Sequence, residues 1–248
     1  MRLESNTEWI RWGKEDPLWS VCTEPGRERG ASSEWTEDEF YAAGESDWRD
    51  FLQAWQMYGL STDSCLEIGC GAGRITRQLS SAFHCVYAVD VSPDMIARAK
   101  RATAAGNIEY KVTDGLALPL ADSSVKAIFS THVLQHLDSD QIVLAYFREM
   151  FRVLNAGGSV MIHVPLFDWP GLGRVATLLG IMHRVLLIAS DSTAWIKRRM
   201  HIKMMRGTAI NVRTLYSALV GIGFREIEFR TLATSRSHQM HSFVMARK

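Results

Sequence analysis

Short apolar runs alternate with amphipathic segments from about residue 64 to residue 164 of the 248-residue chain. Apolar runs of four to eight residues, separated by segments with helical periodicity, are typical of parallel strands joined by helical crossovers. The runs that predict strands are Ser64–Ile68, Cys85–Val89, Ile108–Val112, Ala127–Ser130 and Ser159–Val164. The pattern therefore predicts an α/β protein with a doubly wound sheet.

Capping residues delimit the helices between these runs. Ser92 followed by Pro93 predicts a helix start, because serine caps free N–H groups and proline suits the first helical position; we expect this helix to end near Ala105. A further helix is predicted from about Asp138 to Leu154, before a glycine pair. The last predicted elements are a helix over Val212–Gly221 and two strands, candidates for a hairpin, over Glu226–Arg230 and Ser242–Ala246.

Charged residues are distributed unevenly along the chain. Residues 1–60 hold thirteen acidic and six basic residues, together with six of the eight tryptophans. Residues 171–213 hold eight basic residues and one acid. These two flanks differ from the alternating middle of the chain, so we expect an acidic, aromatic N-terminal part and a basic insert between the fifth strand and the last helix.

The overall charge nearly cancels, with 28 Lys and Arg against 27 Asp and Glu. Proteins that bind nucleic acid electrostatically usually carry a strongly basic balance, so we expect no nucleic-acid partner. The four cysteines lack CxxC pairs and zinc spacing, which predicts neither disulfides nor a metal site. The N-terminus does not resemble a secretory signal, and the apolar run Val175–Ala189 is shorter than the ~20 residues that span a bilayer. The expected location is cytoplasmic, without stable membrane insertion.

The strongest signal for a binding site is the segment Cys65–Arg74, where a strand runs into a glycine-rich turn with the spacing Glu-x-Gly-x-Gly-x-Gly. Glycines let the backbone approach a ligand closely, and the helix that follows offers free N–H groups to an anionic group. Arg74 stands where a dinucleotide fingerprint needs its third glycine. No Gly-Lys-Ser/Thr follows, so the turn is not a phosphate-binding P-loop either.

Acidic residues follow the next two strands. Asp90 ends the second strand, and Asp114 follows the third. A carboxylate at the position of Asp90 can accept hydrogen bonds from both hydroxyl groups of a ribose. Because open α/β sheets bind ligands at the carboxyl ends of their strands, we expect these groups to share one crevice.

Together these motifs resemble the class I S-adenosylmethionine-dependent methyltransferases, of the broad group called type 11. The resemblance covers Cys65 to about Val164 and includes the glycine turn, the Val-Asp-Val-Ser-x-x-Met segment that ends at Met95, the Asp114 segment and the stretch Ser130–His136. It implies a Rossmann-like sheet with an N-terminal helical cap and a helical insert after the fifth strand. The expected parts are a helical cap (1–60), a cofactor-binding core (61–165), a lid or substrate insert (166–211) and the C-terminal part of the core sheet (212–248).

The resemblance also implies the cofactor, S-adenosyl-L-methionine, and its product S-adenosyl-L-homocysteine. The glycine turn would pass under the methionine part, Asp90 would hold the ribose, and Asp114 would accept from the adenine amino group. Arg74 is a candidate for the methionine carboxylate, and the backbone of Thr131 for its ammonium. The residues expected to bind the cofactor are Glu67, Gly69, Gly71, Gly73, Arg74, Asp90, Val91, Met95, Asp114, Gly115, Leu116, Thr131 and Gln135.

Methyl transfer needs an aligned nucleophile and, for a hydroxyl or ammonium acceptor, a general base. His136 is the first candidate for that base, followed by His132 and His163; a structural role is the alternative for each. Three residues are weaker candidates for substrate contacts: Tyr41, Trp12 and Arg199. Packing in the cap is the alternative for the two aromatic residues, and a solvated basic face for the arginine.

These expectations lead to a methyltransferase that acts on an oxygen or nitrogen atom of a small-molecule biosynthetic intermediate, such as a sugar, a cyclitol or another specialised metabolite. A C-methyltransferase with a quinone-like or lipid acceptor is the alternative within the family. An NAD-dependent oxidoreductase and a non-catalytic S-adenosylmethionine-binding protein stay open from other classes. The expected partner is the small-molecule acceptor, with a homodimer left open.

Overall fold

The computed structural model describes residues 3–168, 209–237 and 239–248. Its strands are β1 (Ser64–Ile68), β2 (Cys85–Asp90), β3 (Ile108–Val112), β4 (Val125–Ser130), β5 (Leu154–His163), β6 (Leu166–Phe167), β7 (Ile210–Asn211), β8 (Arg225–Ala233) and β9 (Met240–Arg247). Its helices are α1 (Glu4–Glu15), α2 (Glu37–Tyr58), α3 (Thr76–Ala82), α4 (Pro93–Ala102), α5 (Asp140–Val153) and α6 (Val212–Ile222). Most of the predicted insert, with the candidate Arg199, lies outside the described residues.

Seven strands form one sheet in the order β3-β2-β1-β4-β5-β9-β8. The first five strands of the chain run parallel, and β9 enters antiparallel beside β5. The chain winds outward from β1 in one direction and then returns to β4, which confirms the predicted doubly wound α/β sheet. The two late strands also pair with each other as an antiparallel hairpin. The carboxyl ends of β1, β2 and β4 therefore meet at one edge, beside the start of β9.

The helix start at Ser92 is confirmed. Its hydroxyl oxygen accepts a hydrogen bond from the Met95 N–H, and Pro93 occupies the first turn of α4. The predicted end near Ala105 is wrong, because α4 stops at Ala102. Thr103 has an extended backbone, at φ −136° and ψ 95°, and so leads the chain out of the helix toward β3.

The fifth strand begins earlier than the sequence predicts. The predicted start at Ser159 is wrong, because β5 begins at Leu154, which pairs with Val125 of β4. Hydrogen bonds to the C-terminus hold the glycines in between: the Gly157 N–H donates to the Lys248 carbonyl, and the Lys248 N–H donates to the Gly158 carbonyl. The last residue of the chain supplies these partners, so the local sequence gives no sign of them.

Apolar side chains cover both faces of the sheet. The larger buried cluster joins β4 and β5 to α5 and α6, and a second one packs α2 and α3 against the other face. In the second cluster Trp55 is fully buried, and its indole N–H donates to the Ser159 hydroxyl at 3.0 Å. Within residues 3–168, 209–237 and 239–248, no helix is both long and apolar enough to cross a bilayer.

Candidate functional site

A cavity of about 500 Å³ opens over the carboxyl ends of β1, β2 and β4. The helix α1, the segment from Trp19 to Glu28 and the loop between β8 and β9 close it from above. The predicted site residues that line it are Glu67, Gly69, Gly71, Arg74, Asp90, Val91, Met95, Thr131, His132, Gln135 and His136. The fold thus brings together most of the residues that the sequence singled out.

Two glycines of the turn, Gly69 and Gly71, line the cavity. Gly69 has φ +73°, and a Cβ atom there would stand 2.2 Å from Val133 Cγ2. Gly71 has φ +52°, and its Cβ would stand 2.8 Å from Val21 Cγ2. Both positions require glycine for backbone conformation and for space. Gly73 does not line the cavity. A Cβ atom there would stand 3.0 Å from Ala99 Cβ, so this glycine lets α4 pack closely against the turn.

Asp90 is held by the backbone at the bottom of the cavity. Its Oδ2 accepts from the Gly71 N–H at 2.9 Å, and its Oδ1 accepts from the Ser92 N–H at 2.8 Å. Burial raises the pKa of this carboxyl group, although the backbone hydrogen bonds partly oppose the shift. A carboxylate offers about four lone-pair sites. The two backbone donors therefore fix its orientation and leave acceptor capacity for a ligand.

Glu67 lies beneath the glycine turn. It is 3% exposed, and one of its carboxylate oxygens accepts from the Thr76 hydroxyl at 2.5 Å. Burial raises the pKa of Glu67 to about 7, with the Thr76 hydrogen bond and the nearby Arg74 charge acting in the opposite direction. The residue therefore joins β1 to α3 and still contributes to the cavity wall.

Asp114 does not line the cavity. Its side chain is exposed and accepts from the backbone N–H groups of Leu116 and Ala117 at 2.9 and 3.3 Å, which lowers its pKa. Its backbone carbonyl accepts from the Asn6 amide at 2.6 Å. Among the described residues, Thr113 and Asn6 line the cavity here, whereas Asp114, Gly115 and Leu116 do not. A role for these three in binding adenine stays a prediction.

Arg74 is paired inside the protein. Its guanidinium donates to the Asp47 carboxylate of α2 at 2.5 Å, and both side chains are less than a tenth exposed. Arg236, in the β8–β9 loop, approaches the other Asp47 oxygen at 3.7 Å and also pairs with Glu24. In the described part of the chain, Arg74 Nε has no hydrogen-bond partner. The pair connects the cap to the glycine turn at the cavity wall.

Three histidines form a cluster beside the cavity. The ring centroids of His132 and His163 are 4.6 Å apart, and His241 lies 4.9 Å from the first and 5.4 Å from the second. Burial is the main cause that lowers the pKa of each, to about 3 for His163. These imidazoles are therefore neutral near pH 7, and each keeps one nitrogen lone pair that can accept a hydrogen bond or bind an ion.

His136 occupies a separate position on the same wall. It is 8% exposed, its Nε2 is 2.9 Å from the Gln135 amide nitrogen, and its ring lies 4.9 Å from that of Trp9 in α1. The amide fixes one ring nitrogen, and the indole holds the ring from above. His136 thus lies at the cavity wall, and its catalytic role stays a prediction.

The two aromatic substrate candidates do not line the cavity. The Tyr41 hydroxyl donates to the Ala72 carbonyl at 2.9 Å, and burial raises its pKa to about 12. Trp12 is buried with its ring 5.6 Å from that of Trp19, which does line the cavity. Tyr41 and Trp12 therefore pack the cap in this structure, and their contact with a substrate stays a prediction.

Sequence reasoning missed several residues of the cavity, of which His241, Asp47, Arg236 and Trp9 bear on its chemistry. Asp47 carried one usable signal, because it is an acid among the apolar positions of α2. His241 carried none, since only the antiparallel insertion of β9 beside β5 brings it next to His163.

Comparisons with known proteins agree with this architecture. Residues 66–162 match the family model described as a methyltransferase domain. The chain is 33% identical over 113 residues to a malonyl-[acyl-carrier protein] O-methyltransferase of Hahella chejuensis, covering 42% of this chain and 39% of that protein. It is 34% identical over 119 residues to a probable tRNA methyltransferase 9B of Bos taurus, covering 47% and 23%. The chain thus spans less than half the length of these relatives.

Solved structures extend the likeness to the whole chain. The structure of the DhpI–SAH complex has a TM-score of 0.61 at 18% identity, covering 99% of this chain and 96% of the other. The N-methyltransferase NodS from Bradyrhizobium japonicum WM9, in complex with S-adenosyl-L-homocysteine, has a TM-score of 0.58 at 20% identity and 98% coverage of both chains. Residues 66–162 thus match a methyltransferase domain, and the fold of the chain is that of the class I S-adenosylmethionine-dependent methyltransferases.

Proposed function

We propose that this protein transfers the methyl group of S-adenosylmethionine to an oxygen or nitrogen atom of a small-molecule biosynthetic intermediate. One observation carries the proposal: a single cavity of about 500 Å³ has Asp90 and the glycine turn in one part of its wall and histidines in another. A cavity of this size suits a cofactor and a small acceptor. The near-neutral net charge of +1 gives no support for a nucleic-acid acceptor.

The residues of the cavity fit an adenosyl cofactor. Asp90 keeps acceptor capacity for the ribose hydroxyls after its two backbone hydrogen bonds are made. Thr131 has a buried hydroxyl without a hydrogen-bond partner among the described residues, next to the backbone that we expect to receive the methionine ammonium. The Arg74 Nε is likewise buried without such a partner, and it suits the methionine carboxylate.

When bound, the cofactor would supply a methyl group activated by its positively charged sulfur; the carbon–sulfur bond would break as the bond to the acceptor forms, and its electron pair would leave the sulfur neutral. The protein has to align the acceptor and exclude water, which in favourable models lowers the barrier by ~7–11 kcal/mol. His136 is our candidate to take the acceptor's proton, because its ring lies at the cavity wall beside Trp9. His132 and His163 stay further candidates.

Methylation at carbon on a quinone-like or lipid acceptor is the second candidate. Apolar groups favour it, because Trp9, Trp19 and Val21 contribute to the cavity wall. The same wall carries Asp47, Arg74 and Arg236, and burying those charges against an apolar ring would be unfavourable. The proposal therefore favours a polar acceptor.

Calorimetry and a product assay test the proposal. Titration with S-adenosylhomocysteine should show one binding site per chain. Incubation with methyl-labelled cofactor and a panel of hydroxylated and amino acceptors should release S-adenosylhomocysteine with one acceptor class. No binding at millimolar concentration would overturn the cofactor site. Binding without turnover on any acceptor would instead support a non-catalytic binding protein.

A further inference from the structure

The histidine cluster is built by three separate strand ends. His132 follows β4, His163 ends β5, and His241 lies in β9. In the β5–β9 ladder His163 stands opposite Phe243. Since His241 precedes Phe243 by two residues, both project from the same face of the sheet as His163. Two of the three rings, His132 and His241, line the cavity.

Two observations point to a ligand at this cluster. His163 is 5% exposed, and its Nδ1 has no hydrogen-bond partner in the described part of the chain, an exception that calls for an explanation. His132 has φ +57°, a left-handed conformation that is unfavourable for a residue with a side chain. Strain of this kind is concentrated at functional sites, where the surrounding structure enforces it. Here it directs an imidazole toward two others.

We propose that His132, His163 and His241 bind a divalent transition-metal ion, with Zn²⁺ as the expected species, through one ring nitrogen each. Imidazole nitrogen is a preferred ligand of zinc and its neighbours in the first transition row. Three protein ligands with an open fourth position are the arrangement of catalytic zinc sites. The open position would face the cavity, because two of the three rings form its wall.

The geometry is close to what such an ion needs. The candidate ligand atoms of the three residues lie within 4.8 Å of one another. A tetrahedral ion with metal–nitrogen bonds of ~2.0–2.1 Å holds its ligands ~3.3 Å apart, so each ring nitrogen has to move inward by less than ~1 Å. Rotation of the imidazole rings supplies a movement of that size.

Burial favours the ligand form of these side chains. It is the main cause that keeps the pKa of His163 and His132 well below the usual range, and the neutral imidazole is the form that binds metals. The ion pair of Asp47 and Arg74 supplies opposite charges nearby, which largely cancel. Phe243 lies 5.6 Å from the His163 ring and closes one side of the cluster with an apolar wall.

A consequence for the reaction rests on the proposed function. A bound divalent ion lowers the pKa of a hydroxyl group that it coordinates. The ion would thus favour an acceptor oxygen placed in the open position, with the released proton passing to solvent or to a nearby base. The metal site itself requires no methyl transfer, so it can be tested without cofactor or acceptor.

The full chain is first treated with EDTA and desalted to remove bound metal. Calorimetric titration with ZnCl₂ then tests the site. We expect one ion per chain with a Kd in the micromolar range or below. His163→Gln and His241→Gln should each weaken binding at least tenfold, whereas His84→Gln, at an exposed position, should leave it unchanged. No saturable binding by the wild type, or wild-type affinity in both cluster variants, would overturn the proposal.

A second measurement avoids dependence on the folding of the variants. The X-ray absorption spectrum of the zinc-loaded wild type should report three imidazole ligands, and fewer than three would overturn the proposal. S-adenosylhomocysteine binding, measured on the same preparation, separates the two hypotheses. Cofactor binding without zinc binding rejects the metal site alone, and zinc binding without cofactor binding rejects the proposed cofactor site alone.

Discussion

Asp47 and Arg74 form an ion pair in which both side chains are almost completely buried, at 8% and 4% exposure. The carboxylate comes from α2 in the N-terminal cap, and the guanidinium follows the glycine turn. Gly44 of α2 permits this contact, because a Cβ there would lie 2.6 Å from the Arg74 carbonyl oxygen. The pair therefore holds the cap close to the glycine turn.

Removing one partner of this pair should destabilise the protein strongly. Asp47→Asn leaves a buried positive charge without its counter-ion, a change that typically costs ~3–5 kcal/mol. Urea unfolding measures the effect, and the double variant Asp47→Asn/Arg74→Met should lose less stability than the sum of the single variants. Glu45→Gln is the control, because Glu45 forms an exposed ion pair with Arg49 on the same helix. Simple additivity would contradict a coupled pair.

Asp90→Ala should weaken binding of S-adenosylhomocysteine at least tenfold, a loss of ~1.4 kcal/mol, since the ribose loses its carboxylate acceptor. Calorimetry on the purified variant measures the change. Asp94→Ala serves as the control, because Asp94 is a half-exposed acid in the first turn of the next helix. Equal affinity in wild type and Asp90→Ala would place the ribose elsewhere.

His136→Ala should leave cofactor affinity nearly unchanged and slow turnover. Loss of a general base typically reduces the rate by ~10²–10⁴-fold. The measurement is single-turnover methyl transfer, once an acceptor has been found, with cofactor affinity determined in parallel. The exposed His84 provides the matched control variant, His84→Ala. Unchanged turnover in His136→Ala would remove this residue from the mechanism.

Acidification should destabilise the metal-free protein through the histidine cluster. The pKa of His163 falls from 6.5 to about 3 on folding, so the unfolded chain binds this proton first as the pH drops below 6.5. Stability is thus complete above pH 6.5 and is lost progressively toward pH 3. At pH 5 the loss from this group is on the order of 2 kcal/mol.

Urea unfolding at pH 7.5 and pH 5.0, in the presence of EDTA, measures this loss. His163→Leu removes the titrating group and should show a smaller decrease between the two pH values than the wild type. His132 and His241 remain in the variant and titrate as well, so a residual decrease is expected. Identical decreases in both proteins would contradict the prediction.

Local sequence determined the strands and the glycine turn because their signals are short-range. Apolar runs of strand length, the cap at Ser92 and the spacing of Gly69, Gly71 and Gly73 each depend on a few neighbouring residues. The position of Asp90 at a strand end also followed from the chain order alone, since parallel strands bring their carboxyl ends to one edge. The resemblance to class I methyltransferases supplied the identity of the cofactor.

The tertiary structure decided the rest of the site. The pairing of β9 beside β5 places His241 with His132 and His163, and the path of α2 buries Asp47 against Arg74. Such contacts join residues more than twenty positions apart, so no local pattern reports them. The sequence thus determined which residues stand at the ends of the strands, and the packing of distant segments decided which of them face the same space.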